Sequence, residues 1–159
     1  MRDHGQDQSF CFAEAGGGVG GFSQALAVCG ALCVYYVDIS PRWQGRICNG
    51  MNDLFREPEG QQLINVRIGA RVGWSRIKTL HRIMTEFTCQ PWSLAGKRAG
   101  WEDPKCVMYY AVFEMIYHFR PCKELAESTE GLLQDGVPAI QAAPCLMGYR
   151  MEAQVVDGT

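Results

Sequence analysis

The chain has 159 residues, 47% hydrophobic and 20% charged, an ordinary globular balance with enough length for one domain and a real core. A net charge of −2 excludes a global basic field, so any contact with nucleic acid must come from a local patch. Eight cysteines (11, 29, 33, 48, 89, 106, 122 and 145) form no C-x-x-C pair and no zinc spacing, and a reducing intracellular compartment with free thiols is expected.

The stretch from Met1 to Gln8 has no apolar h-region, so no secretory signal is visible. The longest apolar stretch, around Ala25 to Val37, is interrupted by Gly30 and is too short to span a bilayer. There is no repeat, low-complexity tract or linker.

In chain order, Ser9-Phe10-Cys11-Phe12-Ala13 predicts a short buried strand. It runs into a turn made by Gly16-Gly17-Gly18-Val19-Gly20-Gly21. Phe22 to Cys29 predicts a helix, with Phe22, Leu26 and Cys29 on one side and Gly30 as C-cap. Cys33 to Val37 predicts a second strand ending at Asp38. Strand, glycine turn, helix, strand and acid form the first unit of a parallel α/β sheet. In such a unit the turn lets backbone N–H groups approach a ligand, and the acid can accept both ribose hydroxyls. Nicotinamide, flavin and S-adenosylmethionine proteins all use it, so alone it is weakly specific.

Pro41 to Phe55 is a weaker helix candidate. Arg67, Arg71, Arg76, Lys78 and Arg82 make Val66 to Arg82 the most basic stretch, read first as a solvated face. Ile83 to Phe87 predicts the strand that feeds a turn at Cys89. Pro91 biases Gln90 toward extended backbone, which keeps Cys89 out of a helix. Lys97 and Arg98 follow closely, and nearby cations favour the thiolate, the nucleophilic form. A buried structural cysteine beside a basic loop is the plainer alternative.

Asp103 reads as an N-cap with Pro104 in the first turn. Val112, Met115, Ile116 and Phe119 keep helical spacing until Pro121. Leu125-Ala126 leads to Glu127. A short broken helix is expected before Cys145 to Tyr149, and Arg150 to Val156 alternates like a last strand. Glu124, Glu127 and Glu130 at i, i+3 spacing would equally suit an exposed helix face.

The stretch from Thr88 to Asp103 closely resembles the nucleophile loop of the DNA (cytosine-5)-methyltransferases. That pattern reads Pro-Cys-Gln-Pro-aromatic-Ser, then Gly-Lys-Arg, Gly-aromatic and Asp. Thr88 replaces the first proline. Gly18-Val19-Gly20-Gly21-Phe22-Ser23 resembles the same family's G-x-G-G-F-S turn, in the correct order along the chain. The resemblance implies a three-layer, Rossmann-like S-adenosylmethionine-dependent methyltransferase fold with a mostly parallel sheet, truncated at its C-terminal side. It implies one partial catalytic domain, with a cofactor half over about 9–82, a nucleophile and catalytic half over about 83–159, and no target recognition domain.

By the same resemblance, Cys89 attacks C6 of a flipped cytosine while Glu127 stabilises N3. Phe12, Gly18, Val19, Gly20, Gly21, Asp38 and Ile39 hold S-adenosyl-L-methionine, and Ser93, Lys97 and Arg98 contact double-stranded DNA. Further departures accompany it. Phe12 lies six residues before Gly18, where the family has its aromatic almost adjacent. Ser128-Thr129 replaces Asn-Val after the acid, and Lys123-Glu124 puts charge into an expected central strand. No convincing aspartate serves the family's adenine contact, since Asp53 comes early. The family continues past this chain into a Gln-x-Arg-x-Arg strand pair. A second polypeptide supplying that half is the implied partner, and a catalytically dead or truncated relative is the alternative. The implied location is intracellular: the cytoplasm or nucleoid in a prokaryote or virus, the nucleus in a eukaryote.

Overall fold

The computed structural model describes residues 10–18, 20–38, 62–65 and 80–156. Five strands form one all-parallel sheet: β1 (Cys11–Ala15), β2 (Leu32–Asp38), β3 (Gln62–Asn65), β4 (Arg82–Glu86) and β5 (Lys123–Glu127). Their order is β3-β2-β1-β4-β5. The chain therefore winds one way from β1 through β3 and the other way from β4, which places a switch point between the carboxyl ends of β1 and β4. This is a doubly wound, Rossmann-like α/β architecture.

Helices cover both faces. On one side, α1 (Gly21–Ala27) sets Phe22 and Leu26 against Phe12, Ala31, Cys33 and Met84. On the other, α2 (Val107–Phe119), α3 (Gly131–Asp135) and α4 (Val137–Leu146) cover the larger core. That core holds Ala13, Ala15, Tyr35, Val37, Ile83, Tyr109, Val112, Met115 and Ile116 among others. The small side chains of Ala13 and Ala15 let α2 lie close to the sheet. β2 is aromatic and β-branched because both of its faces are buried.

A bulge in β2 decides what reaches the site. Phe12 pairs with Cys33 but Ala13 pairs with Tyr35, so Val34 is the extra residue. Beyond it the facing of β2 inverts. Tyr35 and Val37 join the α2-side core, and Tyr36 and Asp38 turn toward the α1 side, where the glycine turn lies.

Asp103 does cap, as the sequence predicts, but the turn it caps is a 3-10 turn over Pro104–Cys106, with its carboxylate accepting the Lys105 N–H at 2.9 Å. The α-helix begins only at Val107 and stops at Arg120, which adopts φ +50° and donates its N–H to the Ile116 carbonyl. The expected broken helix is present, interrupted at Gly136, yet α4 runs through Cys145 and Leu146 instead of ending before them.

Two expectations are corrected. Glu124 and Glu127 lie in β5, so the exposed-helix reading of Glu124, Glu127 and Glu130 does not hold. Residues 150–156 alternate in sequence but have no regular structure, because a strand needs a ladder partner as well as a pattern and the tail pairs with no strand among the described residues. β5 is the edge of the described sheet, which explains how it tolerates Lys123 and Glu124. The helix expected over Pro41 to Phe55 lies outside the described residues, as does most of the basic stretch from Val66. Among the described residues no helix is long and apolar enough to cross a membrane.

Candidate active site

The glycine turn is held from beneath by Glu14. This buried carboxylate accepts the backbone N–H of Phe22 at 3.2 Å and of Ser23 at 2.7 Å, together with the Ser23 hydroxyl. Burial dominates over those hydrogen bonds and pushes its pKa up to about 7, with Glu86 adding to the rise. A Cβ on Gly17 would run into this side chain. Gly18 and Gly20 take positive φ, +51° and +80°, which a glycine adopts without strain. Space is open above Gly18, since a Cβ there would meet nothing within 4 Å.

Asp38 ends β2 and is only 5% exposed. Its carboxylate accepts the Gly18 N–H at 3.3 Å, while the Tyr36 hydroxyl donates to the Gly18 carbonyl at 2.8 Å. The turn is thus fixed to β2 from both sides of one residue. Phe12 takes no part: it is fully buried in the α1-side core and offers a ligand no surface. Val19 and Ile39 lie outside the described residues.

Cys89 lies on an exposed turn three residues after β4. Its carbonyl accepts the N–H of Trp92 and of Ser93, at 3.0 and 2.8 Å. Trp92 anchors the loop: it is buried, packs edge-on to Trp101, and donates Nε1–H to the Tyr109 hydroxyl at 2.8 Å. Tyr109, on α2, also stacks on Phe87 with centroids 3.9 Å apart and planes 10° apart. The loop folds back tightly, and a Cβ on Gly96 would collide with the Gln90 carbonyl. Ser93 is half-buried, whereas Lys97 and Arg98 are exposed, Arg98 at φ +49°.

Glu127 ends β5 directly opposite Glu86 of β4 and is exposed. The Phe87 N–H donates to the Glu127 carbonyl at 2.9 Å, and the Ser128 hydroxyl donates to the Phe87 carbonyl at 3.3 Å. Ser128 also hydrogen-bonds Tyr109. One tyrosine therefore ties the Cys89 loop to the residue after Glu127. The two predicted catalytic residues emerge from adjacent strand ends on one edge of the sheet, beside the glycine turn and Asp38.

Sequence reasoning missed Glu14, Tyr36 and Glu86. Glu14 carried a visible signal, an acid inside an otherwise apolar strand that is buried in the structure. Tyr36 and Glu86 acquire their places only through the bulge and the strand order.

The family model for C-5 cytosine-specific DNA methylase matches residues 10–156. The chain is 29% identical over 111 residues to the type II methyltransferase M.HhaI of Haemophilus parahaemolyticus, spanning 69% of this chain and 31% of that protein. It is 26% identical over 125 residues to M.HpaII of Haemophilus parainfluenzae, spanning 79% and 33%. To M.HgiBI of Herpetosiphon aurantiacus it is 23% identical over 126 residues, spanning 79% and 27%. The chain thus spans a third or less of the length of these relatives. Among solved structures, the PH0226 protein of Pyrococcus horikoshii OT3 superposes with a TM-score of 0.49 at 15% identity, covering 89% of this chain and 55% of its own. With its glycine turn, its cysteine loop and a match to the family model over nearly its whole length, the chain belongs to the C-5 cytosine-specific DNA methylase family.

Proposed function

We propose that this chain carries the cofactor turn, the nucleophile and the acid of an enzyme that methylates C5 of cytosine in DNA. The observation that carries the reading is the shared sheet edge, where Cys89 follows β4, Glu127 ends β5, and the turn and Asp38 lie at β1 and β2. The residues fit S-adenosylmethionine: open space over Gly18, a turn rich in glycine and an acid at the end of β2 that can accept ribose hydroxyls. When bound, that group supplies an electrophilic methyl on a sulfonium.

The chain's own residues do the rest. C5 of cytosine is unreactive until a nucleophile adds at C6. The base must first leave the stack, because C6 is unreachable within it. The Cys89 thiolate forms the bond to C6 while Glu127 shares a proton with N3 and takes up the charge that develops there. After C5 has been methylated, its proton passes to water, the freed electron pair restores the C5–C6 double bond and expels the thiolate, and N3 returns its proton to Glu127. Ser93, Lys97 and Arg98, on the face of the same loop, contact DNA phosphates near the flipped base.

The division of the chain follows, with the cofactor half over about 9–82 and the nucleophile half over about 83–159. A second polypeptide, or a continuation of the chain, supplies the remaining half. The exposure of β5 favours a second reading for the isolated 159 residues, that of a module that binds cofactor without turnover. A general acid at N3 needs burial, and Glu127 is uncovered here. The test is a duplex carrying 5-fluorocytosine, incubated with S-adenosylmethionine. A covalent adduct that disappears in Cys89→Ser supports the enzyme. No adduct, together with no cofactor binding by calorimetry, would sink the enzyme reading for the chain alone. An adduct only after a C-terminal partner is added identifies a split enzyme.

A further inference from the structure

Glu86 is an acid in the crevice to which the reading above gives no task. It is the last residue of β4, at the switch point beside β1. Its backbone carbonyl occupies the space a Cβ on Gly16 would need, and a Cβ on Gly21 would stand 3.1 Å from its Oε1. The side chain therefore lies along the glycine turn. Glu127 faces it across the β4–β5 pair. Glu127 and Asp38 both act on its carboxyl, which burial, then Glu127, then Asp38 push upward.

We infer that Glu86 is a specificity-determining residue, whose carboxylate, backed by Asp38 and Glu127, makes the crevice choose its ligand by positive charge. This inference rests on the crevice being the S-adenosylmethionine site. The cofactor and its demethylated product, S-adenosylhomocysteine, have nearly the same shape. They differ by one methyl and by the charge of a sulfonium, which offers no hydrogen bond that could be read. A nearby carboxylate is the direct means of separating them, favouring the cation and letting the neutral thioether leave.

Calorimetry of the 159-residue chain at low salt tests this with three probes: S-adenosylmethionine, S-adenosylhomocysteine, and sinefungin, in which a protonated amine replaces the sulfonium. The two cations are expected to bind about tenfold more tightly than the thioether, a difference of about 1.4 kcal/mol. Glu86→Gln keeps the shape and removes the charge, and should bring the three to within about twofold of one another. Glu86→Asp should keep the order. Glu152→Gln, in an exposed pair with Arg150, should change nothing, and circular dichroism confirms that each variant is folded. A selectivity unmoved by Glu86→Gln overturns the inference while leaving the cofactor reading intact. So does an equal gain in affinity for all three, which would mean that the side chain merely fills the crevice. Binding of none of the three by the wild-type chain overturns the cofactor reading, and this inference with it.

Discussion

Removing the Tyr109 hydroxyl is a small change with a calculable effect. In Tyr109→Phe the ring remains, so the stack on Phe87 and the burial of the side chain are kept. What is lost is the acceptor 2.8 Å from Trp92 Nε1. Trp92 is 4% exposed, so its N–H cannot turn to water. An orphaned buried donor costs about 1–3 kcal/mol, more than the bond's net contribution when both partners are present. Ser128 loses one partner too but keeps the Phe87 carbonyl, so it adds little. The expected destabilisation is about 2 kcal/mol in urea denaturation followed by circular dichroism, with an unchanged m-value. Trp92→Phe removes the other partner. In the double variant the two effects should fall short of additivity by about 1 kcal/mol. Because Trp92 anchors the loop, alkylation of Cys89 by iodoacetamide should also lose its uniformity of rate and gain a faster phase in Tyr109→Phe. A destabilisation under about 0.5 kcal/mol, or strict additivity with Trp92→Phe, would refute the idea that this bond holds the loop.

Further outcomes follow from the same structure. Glu14 has a folded pKa of about 7 against 4.5 for its ordinary value, so the folded state holds the proton more tightly. Its stabilising contribution is complete below pH 4.5 and is lost as pH rises through 7, by up to about 3 kcal/mol. Urea midpoints between pH 4.5 and 8 should therefore decline, and Glu14→Gln should flatten part of that decline. Glu124, also raised to about 7 by burial, adds a smaller effect of the same sign because it is only half-buried. A midpoint that rises over this interval contradicts both assignments. Gly96→Ala must displace the Gln90 carbonyl and should destabilise by about 1–3 kcal/mol, readable as a lowered urea midpoint. In a complete enzyme, Glu127→Gln should slow turnover about 10²–10⁴-fold while cofactor affinity, read by calorimetry, stays within a few-fold.

The sequence alone was enough for the first βαβ unit, the Cys89 turn and the capping role of Asp103. Each depends on short-range chemistry: glycines where φ is positive, a turn closed on the Cys89 carbonyl, a carboxylate that accepts an N–H two residues on. The placement of Cys89 and Glu127 at adjacent strand ends was also legible, because one α-helix separates the two parallel strands that carry them. Local pattern failed where the outcome depends on neighbours. The alternation of residues 150–156 promised a strand and found no ladder partner. Phe12 had the right residue type for a cofactor contact but faces the α1-side core. The charges of β5 looked wrong for a central strand and suit the edge it forms here. Only the tertiary structure could reveal the bulge at Val34. One extra residue inverts the facing of everything after it, since strand side chains alternate with period two. The sequence therefore determined which residues could serve the site, and the register of β1 on β2 decided that Tyr36 and Asp38 face it.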